Sequence, residues 1–257
     1  MAASTPLDKR LDQDEGDSFV ERLNRALTHH ISELQALLAA TPSRWDRFIH
    51  KLAPNYTRFG EEQDELPTTL AMVGRQRAWA DRLSALQGLV NLMPPADKPT
   101  LIQRGLTSLT SLAGVASLPF IDHLVAHGGD VHQPDPANGG LSPFMAYLNG
   151  PQATFSAALI ERHGARPRQT DDTGETALDW VAANGYIANA WVLVRAGWDP
   201  ERISPRTGKC PVACLRAHVM FAEADAQQMI QEARAGRRLA QLVGQPASPI
   251  PRARHRP

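Results

Sequence analysis

DDTGETALDWVAANGYIANAWVLVRAGWD, residues 171–199, predicts a turn followed by two short helices. Its first four residues are typical of a turn, since Asp favours turns and Gly174 readily adopts left-handed backbone angles. Thr176 can cap the helix that follows through its hydroxyl group. Gly185 separates this helix from the next one, and Gly197 is placed to end the second helix in a left-handed conformation.

The same pattern recurs along the chain at a nearly constant interval. The glycines that precede the helix pairs are 35, 34 and 34 residues apart, at Gly105, Gly140, Gly174 and Gly208. One such pair cannot bury its apolar face alone, so neighbouring units must stack on one another. The repetition therefore predicts an all-α fold in which residues 101–236 form an α-solenoid.

These residues resemble the ankyrin repeat, whose pattern is D-x-x-G-x-T-P-L-H-x-A-A-x-x-G-H, then a second helix, then L-L-x-x-G-A-D-V-N. The matching residues are Asp171, Gly174, Thr176, Leu178, Ala182, Gly185, Gly197 and Asp199. Residues 124–131 and 159–165 match the second half of the unit, and Pro143 keeps its proline position. The fourth unit departs from the pattern at Val212 and Arg216. The resemblance implies about four partly degenerate ankyrin-type units over about half of the chain.

The remaining parts of the chain flank this array. Residues 1–16 are polar and acidic, so we expect a flexible lead-in. Residues 17–100 predict a helical N-terminal unit, because apolar side chains recur at helical spacing. A further degenerate repeat over 67–93, divided near Gly74, stays open. Residues 237–257 predict a disordered tail, basic and rich in Pro and Arg.

Composition limits the function classes. The chain has 257 residues with 27 basic and 27 acidic side chains, so its formal net charge is zero. Proteins that bind nucleic acid over their whole surface are normally basic, and this balance argues against that class. Two cysteines are too few for a disulfide scaffold and fit a reducing compartment.

No segment predicts export or membrane insertion. The N-terminal residues lack the apolar core of a secretory signal peptide. No uninterrupted apolar run approaches the roughly 18 residues that a membrane helix needs. We expect a cytoplasmic protein, with secretion independent of a signal peptide left open. Only four of the 27 basic residues are lysines, which favours a GC-rich, bacterial gene.

Catalytic motifs are missing from the sequence. It contains no P-loop, dinucleotide-binding glycine motif, H-E-x-x-H or G-x-S-x-G. Cys210 and Cys214 would need further ligands, or a Cys-x-x-Cys spacing, to form a metal or redox site. We interpret them as small core residues. We expect no enzyme activity, no cofactor and no metal.

Three histidines near one helix end allow two interpretations. His123 and His127 are four residues apart, a spacing that could hold a metal. A histidine near a helix C-terminus also interacts favourably with exposed carbonyl groups. His132 lies at the asparagine position of the ankyrin pattern. We prefer the structural interpretation for all three.

The resemblance also implies where a partner would bind. In ankyrin-repeat proteins the turns and first helices line a concave face that usually binds another protein. The matching exposed turn positions here are Gln103, Arg104, Leu106, Asn138, Leu141, Asp172, Thr173, Glu175, Arg206, Thr207 and Lys209. Asn184 and His218 lie at first-helix ends on the same side. The face changes from acidic in the third unit to basic in the fourth.

The sequence therefore favours a non-enzymatic module that binds a folded protein, as an inhibitor, a neutraliser or an adaptor. The alternative is a secreted effector or regulator, with chemistry in the N-terminal helical unit and ankyrin units for target recognition. A third possibility is nucleic-acid binding by the tail, which has six arginines and no acidic residue from Arg234 onward. The identity of the partner and the oligomeric state stay open.

Overall fold

The computed structural model describes residue 11 and residues 17–40, 43–52, 69–112 and 117–242. Within these ranges the protein has twelve α-helices and no strand, which confirms the expected all-α class. Of the predicted lead-in, only Leu11 is described, and it is buried. The predicted tail beyond residue 242 lies outside the described residues.

The chain groups into two compact units, residues 1–130 and 131–257. The described helices of the first unit are α1 Asp17–His29, α2 Ile31–Ala40, α3 Ser43–Leu52, α4 Thr69–Leu92, α5 Lys98–Ser108 and α6 Leu118–Ala126. Those of the second unit are α7 Pro143–Leu148, α8 Ala153–His163, α9 Ala177–Ala183, α10 Ile187–Arg195, α11 Pro211–Leu215 and α12 Glu223–Leu242.

The first unit is a helical cluster with an apolar core. Helix α4 packs against α1, α3 and α6, and α5 packs against α3 and α6. The rings of Phe19 and Phe48 meet edge to face, with centroids 5.4 Å apart. The apolar side chains predicted to share one helical face include Leu23, Ile31 and Leu34; Leu23 and Leu34 are buried, but Ile31 is 44% exposed. It begins α2 just after the interruption at His30.

Gly105 does not have the turn position that the repeat spacing predicted. It lies inside α5, where a Cβ atom would come within 2.8 Å of Ile49 Cδ1 on α3. The glycine here permits close packing of two helices, and it does not supply a left-handed turn. Spacing alone could not separate these two uses of glycine.

The segment left open as a degenerate repeat also differs from that expectation. Residues 69–92 form the single helix α4, and Gly74 lies within it. A repeat over 67–93 would need two helices joined by a turn. The described residues therefore form one long helix and not a repeat unit.

The described part of the second unit, residues 131–242, contains three helix pairs, α7–α8, α9–α10 and α11–α12. Helix α9 packs against α7 and α11, while α10 packs against α8 and α12. First helices thus contact first helices, and second helices contact second helices. Before each pair a glycine has a positive φ angle, at Gly140, Gly174 and Gly208. Gly185 and Gly197 also have positive φ angles, as their predicted positions require.

Helix α12 corrects the predicted start of the tail. It continues to Leu242, so residues 237–242 are helical and not disordered. Arg234 and Arg237 of this helix bind Glu201, which fastens the helix to the loop after α10. None of the helices in the described ranges has an apolar stretch long enough to span a bilayer.

Leu178→Asp tests the packing of the first helices. Leu178 is fully buried on α9, so an aspartate there would have to lose its hydration without a partner. We expect the free energy of unfolding to fall by more than about 3 kcal/mol, measured by urea denaturation with circular dichroism. Leu239→Asp on α12 is the control, because Leu239 is 63% exposed. Equal effects of the two substitutions would contradict the assigned packing.

Candidate functional site

Three polar turns precede the first helices of the second unit, at residues 135–141, 171–175 and 204–209. In each, the first side chain accepts a hydrogen bond from a backbone N–H two or three residues later. Asp135 accepts from Ala137 at 3.0 Å, Asp171 from Thr173 at 2.9 Å and Ser204 from Thr207 at 3.0 Å. These side chains provide acceptors for turn N–H groups that have no partner in a helix or a sheet.

Asp171 makes the most complete set of these bonds. Its Oδ1 accepts from the Thr173 N–H, the Thr173 hydroxyl and the Glu175 N–H, at 2.7 to 3.0 Å. Its Oδ2 accepts from the indole N–H of Trp180 at 2.8 Å. Burial acts to raise the pKa of Asp171, but these bonds outweigh burial and hold the pKa below its ordinary value. The charged carboxylate therefore stabilises the turn.

Neighbouring turns are bonded to each other. The Asp172 N–H donates to the Gly139 carbonyl at 2.9 Å. Glu175 Oε1 accepts from the Ser204 hydroxyl and from the Arg206 N–H. These bonds join the turn before α9 to the turns before α7 and α11, so the three turns form one connected row.

A second buried carboxylate supports the start of α9. Thr176 and Asp179 form a capping box, in which Asp179 Oδ2 accepts from the Thr176 N–H and hydroxyl at 2.7 Å. This confirms Thr176 as the helix cap. The same oxygen accepts from Arg202 Nη1 at 2.7 Å. Burial nevertheless raises the pKa of Asp179 above its ordinary value, although Thr176 and Arg202 act in the opposite direction.

Most of the predicted partner-binding residues of the second unit reach the surface. Two of them, Leu141 and His218, are half-buried. The exposed ones are Asn138, Asp172, Thr173, Asn184, Arg206, Thr207 and Lys209.

Glu175 was predicted to be exposed, and that prediction is wrong. Its side chain is 1% exposed because it turns toward the next turn and accepts from Ser204 and Arg206. A substitution of Glu175 would therefore change stability together with any binding surface. Asp172, its exposed neighbour in the same turn, is the better position to test binding.

The three predicted residues of the first unit lie in α5 and not in a turn. Leu106 is fully buried, which contradicts its predicted exposure. Gln103 is half-buried and holds the backbone of Asp130, donating to its carbonyl at 2.9 Å and accepting from its N–H at 3.0 Å. Arg104 is exposed on the same helix. The error follows from matching Gly105 to the turn glycines.

The ends of the first helices are also joined. The Asn184 side chain donates to Asn149 Oδ1 at 2.9 Å and to the Trp180 carbonyl at 3.1 Å. The ring of His218 lies directly over Gly185, leaving no room for a Cβ atom there. Asn184 and His218 thus lie near the ends of adjacent first helices, as predicted.

The repeat pattern did not predict two further residues on the surface near these turns. Trp180 is half-buried, with the guanidinium carbon of Arg206 5.0 Å from its ring centroid. Ile203, just before the third turn, is 62% exposed. Neither residue matches a defined position of the repeat pattern, and the Trp180–Arg206 contact joins α9 to the turn before α11. The repeat spacing therefore predicted a surface position for neither Trp180 nor Ile203.

The environments of the two cysteines and of His132 fit a structural role. Cys210 and Cys214 are free and half-buried, so the interpretation as core residues needs correction. Burial raises the pKa of the Cys214 thiol, which makes it a poor nucleophile at neutral pH. His132 is buried, with Nε2 3.1 Å from the His163 carbonyl. In the ranges that the structure covers, no three His, Cys, Asp or Glu side chains are arranged to hold a metal.

The two histidine rings at the end of α6 are in contact at a tilted angle of 47°. The rings of His123 and His127 lie 4.2 Å apart, and His127 Nδ1 is 2.9 Å from the His123 carbonyl. Burial, His127 and Lys98 all disfavour a charged ring and lower the pKa of His123 to about 4. The contact with a helix-end carbonyl agrees with the structural interpretation.

No protein-family model matches the chain, and no curated protein matches it.

Asp171→Asn tests the turn carboxylate. The amide keeps one acceptor but directs a donor at the Trp180 indole N–H, so we expect a loss of about 2 kcal/mol at pH 7. Because the folded pKa is depressed, the wild-type advantage is present above the unfolded pKa and disappears as pH falls through the folded pKa.

Urea denaturation between pH 7 and pH 2.5 measures this difference. Asp172→Asn is the matched control, since that side chain is exposed in the same turn. A gap between wild type and Asp171→Asn that widens with acid would contradict the assigned role.

Proposed function

We propose that this chain is a non-enzymatic interaction module that binds a folded protein through the turns and first helices of its second unit. The observation that carries the proposal is the row of turns described above. Its backbone is held by hydrogen bonds to side chains of the turns, while six predicted side chains remain exposed along it. Such an arrangement displays side chains in fixed positions.

The proposal includes ankyrin-type repeats in the second unit. In its support, the turn glycines have positive φ and lie 34 residues apart. Thr176 caps the first helix, and Gly185 and Gly197 have the backbone angles that the pattern requires. The packing of like helices on like helices is what a stack of repeats would produce.

Rigid turns favour affinity because little conformational freedom is lost on binding. The backbones of the second and third turns are bonded to side chains of their own turn, and the Arg206 N–H of the third turn donates to the Glu175 side chain of the second. A partner would therefore meet side chains whose positions are already set. This suits an inhibitor, a neutraliser or an adaptor, each of which must hold one partner specifically.

The charges on the row favour one orientation of the partner. Asp172 is exposed on the second turn, while Arg206 and Lys209 are exposed on the third. Opposite charges on adjacent turns disfavour docking of the partner in the reversed orientation, and they disfavour non-specific binding of polyanions. The free thiols of Cys210 and Cys214 fit the reducing cytoplasm that we propose as the location.

Site-specific cross-linking identifies a partner directly. A photo-reactive amino acid at Thr207, on the third turn, should capture one protein from a lysate of the source cells. The same amino acid at Ala188 is the control, because Ala188 is exposed on the second helix α10. Capture from Ala188 but not from Thr207 would contradict the assigned face.

Charge reversal then measures the contribution of the face. With the captured protein purified, the double variant Asp172→Lys/Lys209→Glu should weaken binding at least about tenfold by calorimetry. Glu161→Lys, an exposed change on α8, should have little effect. Unchanged affinity in the double variant would remove the turns from the interface.

A further inference from the structure

Two arginines near the third turn have different surroundings. Arg202 is used internally, since it donates to Asp179 Oδ2 and to the Gly174 carbonyl. The Arg206 side chain makes no hydrogen bond within the described part of the chain. Its Nη2 lies 3.8 Å from Glu175 Oε2, too far for a hydrogen bond but close enough for attraction. Its five N–H donors therefore remain open to a partner.

Arg206 is nevertheless held in place. Its guanidinium carbon lies 5.0 Å from the ring centroid of Trp180, a cation–π contact. The ring is fixed in turn by its N–H bond to Asp171. The Arg206 N–H donates to Glu175 at 3.2 Å, so both ends of the residue are restrained. Its side chain is still 41% exposed.

We propose that Arg206 is the anchor of the partner interface and binds a carboxylate on the surface of the partner protein. This inference rests on the function proposed above. A guanidinium can form two parallel hydrogen bonds to a carboxylate. Because Trp180 and Glu175 already restrain the Arg206 side chain, little further conformational entropy would be lost when a carboxylate binds. Arg and Trp are also the residue types that most often dominate interface energies.

The neighbouring side chains indicate an acidic segment with an apolar contact. Lys209 is exposed on the same turn and forms no ion pair with any described residue. Ile203 offers an exposed apolar side chain shortly before that turn. A partner segment with two carboxylates beside an aliphatic residue would complement all three groups.

The preceding turn argues against a nucleic acid as the ligand. Asp172 is exposed there, and the two turns are in close contact, because a Cβ atom on Gly174 would lie 3.0 Å from Pro205. A continuous phosphate backbone would bring like charge to Asp172. A protein surface can place carboxylates at Arg206 and leave the neighbourhood of Asp172 neutral or basic.

Nuclear magnetic resonance on the full chain tests this anchor with a defined probe. The probe is a short peptide of glutamate pairs separated by single leucines, and the same peptide with glutamines is the control. Spectra of Trp180→Phe identify the Trp180 indole signal. We expect the glutamate peptide to shift that signal at low salt, with little effect of the glutamine peptide.

Variants then assign the effect to Arg206. Arg206→Gln should weaken the glutamate peptide at least about tenfold, and Arg206→Lys should also weaken it because lysine lacks the planar fork. Arg168→Gln, which removes another exposed arginine, should change affinity less than about twofold. Unchanged melting curves would establish that the variants fold.

Three results would overturn the inference. They are no indole shift at millimolar peptide, equal losses in Arg206→Gln and Arg168→Gln, and tighter Arg206-dependent binding of duplex DNA than of the peptide. The cross-linking result separates this inference from the proposed function. A partner captured at Thr207 through a segment without carboxylates would leave the interaction function standing and remove the anchor. Arg206-dependent peptide binding without any captured partner would support a carboxylate site at Arg206 but count against the proposed interaction function.

Discussion

The second unit depends on how its turns satisfy their backbone N–H groups. A tight loop between helix pairs has neither a helix nor a strand ladder to accept those hydrogens, and leaving them unpaired inside the protein is costly. The side chains of Asp135, Asp171 and Ser204 provide the acceptors, because each accepts a hydrogen bond from a backbone N–H of its own turn. Asp171 also fixes the ring of Trp180, so the same carboxylate that stabilises the turn positions part of the exposed surface.

Features that depend on neighbouring residues were predictable from the sequence. The all-α class, the cap at Thr176 and the left-handed glycines at Gly174, Gly185 and Gly197 each follow from local chemistry, and the structure contains them. Gly105 has the same spacing but a different cause, because it serves the approach of α3 to α5. A glycine in sequence does not reveal whether the backbone angle or the missing side chain is what the fold requires.

Features that depend on distant residues were not predictable. Glu175 matched an exposed column, yet its direction is set by donors on Ser204 and Arg206, about thirty residues later. Without coordinates, no spacing rule separates a carboxylate that faces solvent from one that faces the next turn. The same limit applies to Trp180, whose contact with Arg206 also crosses between turns. A partner for the proposed interface could not be identified from local pattern either, since recognition would depend on how several such side chains combine.

In the proposed interface, the pairing of Arg206 with the buried Glu175 would favour binding by restraining the guanidinium. Glu175 Oε1 already accepts from the Ser204 hydroxyl and the Arg206 N–H, so this oxygen does not need the guanidinium as a donor. It contributes attraction at 3.8 Å and restrains the side chain without occupying its N–H groups. An incoming carboxylate would then displace water from the guanidinium and would not have to displace Glu175. Arg202 differs because it donates to Asp179 and to the Gly174 carbonyl. Breaking the first bond would leave the buried Asp179 carboxylate without its charged partner.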